Sequence, residues 1–313
     1  MKILAVDDEP IFLQLLQATL TDLGYTDLTR VTSGKAALDL IQSSPDSFDC
    51  FLLDIKMPGM NGIELCHAIR ALPEFRRTPI MMNTVLNDRA AIDDAFAAGA
   101  TDYLTKPINR AEIKARLGMV ATLVAERKRR DSSVANGAAT SEHHGRGYSF
   151  PFELLEVSGS VEFLALENYL LTLGKIRSLG IAATGIHVAN GEEIFAMGGP
   201  DGFADTVIDI GDCIADTLKR SNYMLAYAGN SNFVYLTGRL STPNMLDFSL
   251  ELNAKIAEFE TLYTELGIDL PQLVVGAPAL GNLLSPPGPK QILGRAMKNA
   301  AREVEKHADL LAA

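Results

Sequence analysis

The sequence predicts an α/β fold. Its first part reads as a doubly wound sheet of five parallel strands, flavodoxin-like, and its second as a smaller α/β domain with a mixed sheet. Three observations lead there. Short apolar runs alternate with amphipathic, helically spaced stretches through the first 120 residues. Each gap between runs is long enough for a helical crossover, as parallel strands require. A polar stretch rich in Ser, Ala and Gly then interrupts the pattern before a new order of elements begins. With 313 residues and 47% apolar content, the chain has material for about two cored domains.

The strand candidates are KILAV (2–6), LTRV (28–31), CFLLD (50–54), PIMMN (79–83) and DYLTK (102–106). Helical spacing covers 11–23, 34–42, 62–71, 89–98 and 110–126 between and after them. Strands alternating with helices place helices on both sheet faces and a functional crevice at the strands' carboxyl ends. Residues 1–125 form this first domain. Residues 126–147 (ERKRRDSSVANGAATSEHHGRG) start as a charged helix end and continue without apolar period, which reads as a flexible linker. His143 and His144 fall there as solvated charges.

The second domain, 148–313, reads as helix (161–179), strand (181–189), helix (203–220), β-hairpin (225–236), long helix (245–266), strand (271–278) and closing helix (289–313). Gly229, Asn230 and Asn232 suit the hairpin's tight turn.

Composition excludes several classes. Three scattered cysteines, Cys50, Cys66 and Cys213, give neither a disulfide framework nor a metal site, and a reduced, cytoplasmic setting fits. The start of the chain does not resemble a signal peptide, and no run is long enough to span a membrane. The net charge of −11 is uneven: residues 1–130 hold 16 basic and 17 acidic residues, leaving 12 and 22 for the rest. A second half that acidic is repelled by phosphate backbones, which argues against a nucleic-acid partner.

The chemistry concentrates at one sheet edge. Asp7 and Asp8 follow the first strand, Asp54 ends the third, Thr84 follows the fourth and Lys106 ends the fifth. Any one of these residues read alone is an ordinary surface or turn residue. Together they place three carboxylates in mutual repulsion, which an oxygen-seeking divalent ion, Mg²⁺ above all, relieves. A lysine and a hydroxyl beside them suit phosphoryl transfer onto a carboxylate oxygen.

The motifs VDDEP (6–10), LLDIKMPGMNG (53–62), NT (83–84) and DYLTKP (102–107) closely resemble the receiver domain of two-component response regulators, over about residues 1–120. The resemblance implies that Asp54 accepts phosphate from a histidine kinase or phosphotransfer protein. It implies that Asp8, Asp54 and the Lys56 backbone carbonyl hold Mg²⁺ with help from Asp7 through water, and that Lys106 holds the phosphoryl group. Thr84 and Tyr103 would form a switch pair, and a cis bond would precede Pro107.

The second domain is similar in element order to the GGDEF-type diguanylate cyclases, over about residues 155–305. Its motif positions depart from that family. Gly229, Asn230, Ser231, Asn232 and Phe233 replace the five signature letters, so the two acidic positions are Ser231 and Asn232, and Thr184 stands where a metal-binding Asp is expected. Neutral hydroxyl and amide groups are poor Mg²⁺ ligands. Arg220 is present at the inhibitory product site, but Tyr223 replaces its acid. Asp205 matches a position that can contact guanine and reads as a cap or solvated charge. His187, with no nucleophile or carboxylate evident nearby, reads as packing. The expectation is a degenerate cyclase-like domain without cyclase activity. Its output would be contact with another protein or a second copy of the chain. The alternatives are a domain that still binds GTP or c-di-GMP, or a residual enzyme using another metal arrangement.

Overall fold

The computed structural model describes residues 1–43, 48–85, 89–135, 148–154, 157–281 and 288–311. Most of the expected linker, including His143 and His144, lies outside the described residues. The chain divides into two compact units, 1–140 and 141–313.

The first unit is the expected doubly wound sheet. Strands β1 (Ile3–Val6), β2 (Leu28–Val31), β3 (Cys50–Asp54), β4 (Ile80–Val85) and β5 (Asp102–Lys106) are all parallel, in the order β2-β1-β3-β4-β5. Helices α1 (Pro10–Asp22), α2 (Gly34–Ser43), α3 (Gly62–Arg70), α4 (Arg89–Ala97) and α5 (Arg110–Ala135) make the connections. Alternation along β1 sets the layers. Leu4 and Val6 join a core with α2, α3 and α4, through Ile41, Leu65 and Ala95. Ile3 and Ala5 join the other, with Leu16 of α1 and Leu117 of α5. Both sheet faces are therefore dry, which is why the strands read as continuous apolar runs rather than alternating ones. Helix α5 continues to Ala135, past the expected end at 126.

Helix α3 begins with Asn61, whose side chain accepts from the Ile63 and Glu64 amides while the Glu64 carboxylate accepts from the Asn61 amide. This capping box fixes the helix start just beyond Asp54. Gly62 sits so close under the strand that a Cβ there would lie 2.1 Å from the Asp54 carbonyl oxygen.

The second unit consists of helices and an antiparallel sheet. Its strands are β6 (Ile181–Val188), β7 (Tyr223–Gly229), β8 (Asn232–Gly238), β9 (Leu273–Val275) and β10 (Ala279–Leu280). Strands β9 and β10 both run along β6, giving the order β9/β10-β6-β8-β7. That is the split βαβ arrangement. The mixed sheet expected from the sequence is corrected: each crossover helix skips one strand position, so every neighbouring strand pair is antiparallel. One isolated parallel bridge, Ser160 to Leu225, lies outside the named strands. Two helix boundaries also differ. Helix α7 (Gly191–Leu218) starts twelve residues before the expected 203 and bends at Gly199 (φ 66°), ahead of Pro200. The expected long helix is two, α8 (Met245–Ala257) and α9 (Glu260–Leu266). Helices α6 (Phe163–Arg177) and α10 (Pro289–Leu311) complete the unit. Ile186, Tyr227 and Tyr235 of the sheet pack with Phe203 and Val207 of α7 and Phe248 and Leu252 of α8.

A Gly62→Ala substitution is expected to destabilise the first unit by about 2–3 kcal/mol, because the obstacle is backbone and cannot yield. Urea unfolding followed by far-UV circular dichroism measures it, and a wild-type midpoint would contradict the close approach.

Candidate functional site

Strand order decides which side chains meet. With β1, β3 and β5 ending on the same side of one parallel sheet, the residues after Val6, at Asp54 and at Lys106 converge. Carboxylate oxygens of Asp7, Asp8 and Asp54 lie within 4.8 Å of one another. Asp7 is fully buried and Asp54 nearly so, while Asp8 is half-buried. Lys106 Nζ lies 2.8 Å from Asp7 Oδ2 and 2.7 Å from Asp54 Oδ1. The Glu9 amide donates to Asp7 Oδ1 at 3.0 Å, and the Lys56 amide donates to Asp54 Oδ2 at 3.1 Å. The Lys106–Pro107 peptide bond is cis.

Three carboxylates against one ammonium leave the cluster short of positive charge. Burial pushes the Asp54 carboxyl above the usual carboxylate range; Lys106 opposes the shift, and the charges of Asp7 and Asp8 add to it. Burial alone would lower Lys106, but its hydrogen bonds to Asp54 and Asp7 outweigh that and hold the ammonium above its ordinary value. Apart from the ion-pair contact with Lys106, Asp7 Oδ2 receives no aligned hydrogen bond. An all-oxygen donor set with excess negative charge and an open lone pair on a buried carboxylate fits a hard divalent cation.

Thr84 is buried on β4, one residue beyond Asn83, which pairs with Asp54 across the sheet. Among the described residues its hydroxyl makes a long contact, 3.4 Å, to the Val85 carbonyl. Tyr103 is half-buried on β5, with the Arg116 guanidinium carbon 4.9 Å from its ring centroid. Two groups at this edge were missed in the sequence. Lys106 Nζ sits 4.3 Å from the Phe12 ring centroid, a cation–π contact that the spacing of Phe12 after the acid pair could have suggested. Arg116 pairs with Asp102 at 2.5 Å and Glu112 at 3.2 Å. The Glu112–Arg116 pair was legible as an i,i+4 charge pair, but the Asp102 contact needed the fold.

The positions singled out in the second unit come together differently. Gly229 and Asn232 are paired, so the two-residue turn is Asn230-Ser231, both with positive φ (49° and 60°). This is the hairpin turn whose twist suits antiparallel strands, more often built with glycine. Ser231 Oγ is buried, with no well-formed hydrogen bond among the described residues beyond its approach to the Tyr148 phenol, and packs against Gly191, where a Cβ would lie 1.9 Å from it. The Ser231 amide donates to Tyr227 Oη at 3.1 Å, and the Asn230 amide donates to the Tyr148 carbonyl at 2.8 Å. Both turn amides are thus already bonded within the chain. Thr184 is fully buried opposite Tyr235, whose phenol burial pushes up to about 12; neither hydroxyl has a well-formed hydrogen bond. His187 Nδ1 is 3.0 Å from Asn232 Oδ1 across the strands. A cavity of about 330 Å³ beside the turn is lined by His187, Asn230, Asn232 and Tyr148 together with Glu192 and Glu193, whose charge opposes phosphate. Tyr223 Oη donates to the Ser158 carbonyl at 2.8 Å, so the residue in the acid's place ties down the chain; Arg220 and Asp205 are exposed.

Residues 3–118 match the family model described as the response regulator receiver domain. The chemotaxis protein CheY of Pseudomonas aeruginosa is 35% identical over 117 residues, covering 37% of this chain and 93% of that protein. CheY-3 of Vibrio cholerae is 35% identical over 120 residues, 38% of this chain and 91% of that protein.

The chain belongs to the response regulator receiver family.

An uncharacterised transcriptional regulatory protein of Bacillus subtilis, YrkP, is 38% identical over 116 residues, 37% of this chain and 47% of that protein. Among solved structures, CheY4 of Vibrio cholerae shares 34% identity, with a TM-score of 0.35 and coverage of 38% of this chain and 97% of that one. The receiver domain of the histidine kinase PA1611 from Pseudomonas aeruginosa, solved with a magnesium ion in its active site cleft, shares 30% identity, with a TM-score of 0.35 and coverage of 40% and 97%. The receiver match ends at residue 118. A receiver domain implies a histidine kinase or phosphotransfer protein as its phosphoryl source. Among the described residues, no helix is long and apolar enough to cross a membrane.

Two outcomes follow from this geometry. Because the folded pKa of Asp54 is raised, the native state binds its proton more tightly than the unfolded chain does. The carboxylate therefore costs nothing below the ordinary carboxylate range, and an increasing amount as pH rises through that range to the folded value. Asp54→Asn removes the cost, so in Mg²⁺-free buffer the variant should match wild type at pH 3 and exceed its unfolding midpoint at pH 7; the reverse order would contradict the assignment. Ser231→Gly should raise the stability of the second unit by roughly 1 kcal/mol in urea unfolding, by relieving left-handed backbone strain.

Proposed function

We propose that this chain is a phosphorylation-controlled signalling protein in which Asp54 is the phosphoacceptor and the second unit delivers the output by contact with another protein or a second copy of the chain. The carrying observation is the pairing of Lys106 Nζ with both Asp7 and Asp54 at the carboxyl edge of the sheet. An Asp54 carboxylate oxygen attacks the phosphorus of a phosphohistidine in line; the new P–O bond forms as the P–N bond breaks, and the imidazole leaves. Lys106 exchanges its contact with Asp54 Oδ1 for one with a phosphoryl oxygen. Asp8, Asp54 and the Lys56 carbonyl would hold Mg²⁺, with Asp7 acting through water, and the ion supplies the positive charge that the transferring group requires. Thr84 donates its weakly engaged hydroxyl to the phosphoryl group, and Tyr103 turns into the space vacated. That change reaches the surface formed by α4, β5 and α5.

We read the second unit as a degenerate GGDEF-like domain. The split βαβ order supports this. Thr184, Ser231 and Asn232 in place of carboxylates speak against cyclisation, and the bonded turn amides and acidic cavity favour protein contact over a GTP or c-di-GMP sensor. Asp209 accepts a hydrogen bond from Tyr263 and Asp216 pairs with Lys219 and Lys255, so part of this unit's acidity is engaged within it.

Acetyl phosphate with Mg²⁺ should produce a shifted band on phosphate-affinity gels. Asp54→Asn should abolish the shift, Lys106→Met should slow it about a hundredfold, and chelation should prevent it; equal labelling of Asp54→Asn would overturn the reading. Mg²⁺ at a hundred times its dissociation constant should stabilise the first unit by about 2.7 kcal/mol, an effect that Asp8→Asn should remove. Conversion of GTP to c-di-GMP by the purified chain would refute the reading of the second unit.

A further inference from the structure

Lys106 Nζ pairs with Asp7 Oδ2 at 2.8 Å and Asp54 Oδ1 at 2.7 Å, and it lies over the Phe12 ring, 4.3 Å from the centroid. An ammonium carries three N–H donors. The two carboxylates engage two of them, and the ring stands beside the cation where water would otherwise gather; the lysine side chain is only 17% exposed. Phe12 is half-buried and packs against the core shared by α1 and α5. A phenylalanine at a core edge commonly does no more than that. This one also underlies a cation that is held at a candidate phosphoacceptor. Its place is set by the same helical turn that holds Asp7. The Glu9 amide donates to Asp7 Oδ1 at 3.0 Å, Pro10 opens α1, and the Leu13 amide donates to the Glu9 carbonyl at 3.2 Å. Asp7 and Phe12 therefore reach Lys106 from either end of the first turn of α1.

We propose that Phe12 is a positioning residue for phosphoryl transfer: its ring holds the Lys106 ammonium where the phosphoryl oxygen arrives. The proposal deepens the reading of Asp54 as the phosphoacceptor and rests on it. As the phosphoryl group transfers, Lys106 gives up its contact with Asp54 Oδ1. Its flexible four-carbon stem then keeps two anchors, Asp7 Oδ2 and the ring face, and neither takes part in bond making or breaking. The ring is suited to this place because it attracts the ammonium without adding charge. A further carboxylate there would hold the lysine as well, but it would repel the incoming phosphoryl group. An aliphatic side chain of similar size would fill the space without attracting the cation. The ammonium would then sample more positions and take up water, and small misplacements of a group that stabilises the transition state are costly.

The rate of labelling of the full chain by acetyl phosphate with Mg²⁺, read on phosphate-affinity gels, tests this. Phenylalanine carrying one, two or three ring fluorines at position 12 keeps the shape of the ring while draining negative charge from its face. The rate should fall stepwise along that series, reaching about threefold to tenfold below wild type with three fluorines. Phe12→Leu should lose at least as much, and Phe12→Tyr, which keeps the ring face, should retain most of the rate. In a Lys106→Met background the fluorine series should be flat, a result that a purely packing role for the ring would not produce alongside the decline in wild type. Equal rates along the series in the wild-type background, or the same decline with and without Lys106, overturns the role of Phe12 alone. Absence of any Asp54-dependent labelling of the wild-type chain overturns the phosphoacceptor reading and the role of Phe12 with it.

Discussion

The structure of the first unit turns on one ammonium group. Lys106 lies within 3 Å of two buried carboxylates, with a third carboxylate close by. At an effective dielectric near 20, opposite charges 4 Å apart attract by about 4 kcal/mol, and like charges repel by as much. Without the lysine, Asp7 and Asp54 could not both remain ionised where they are. The ion pairs require β1, β3 and β5 to end at one level, and the parallel order β2-β1-β3-β4-β5 secures that. The capping box at Asn61 and the close seat of Gly62 then fix α3 directly below Asp54. Fold and site are one constraint here, since a register slip in any of the three strands would leave a buried charge unpaired.

The second unit resolves its polar residues in the opposite way. Positions where a cyclase-like fold would concentrate charge are neutral and tightly packed: Thr184 against Tyr235, Ser231 against Gly191, Asn232 beside His187. Carboxylates at Thr184 or Ser231 would be buried with no cation among the described neighbours, at a cost of several kcal/mol each. Small neutral side chains let the turn lie against the start of α7 and let the Tyr148 segment close over it.

Much of this was legible in the sequence. The five parallel strands were readable because both sheet faces are dry, and the residues at their ends could be placed from topology alone. The second unit was less transparent for specific reasons. Helical periodicity over 245–266 does not reveal the break at Glu258 and Phe259. The Gly-Gly-Pro run at 198–200 hides the first turns of α7, because the bend at Gly199 disrupts the apolar spacing on either side. Strand direction in the sheet depends on which positions the crossovers skip, a global property that local pattern does not carry. The bonded turn amides were invisible for the same reason: their partners, Tyr148 and Tyr227, include a residue 82 positions away in sequence.

The two units differ in how they respond to charge. A cluster with three carboxylates and one lysine carries excess negative charge, so a metal ion or an added phosphoryl group must rearrange its contacts. A neutral, hydrogen-bonded turn has no comparable electrostatic sensitivity. The first unit gathers buried carboxylates around one cation, and the turn of the second is built from neutral groups, so a rearrangement there leaves no buried charge unpaired.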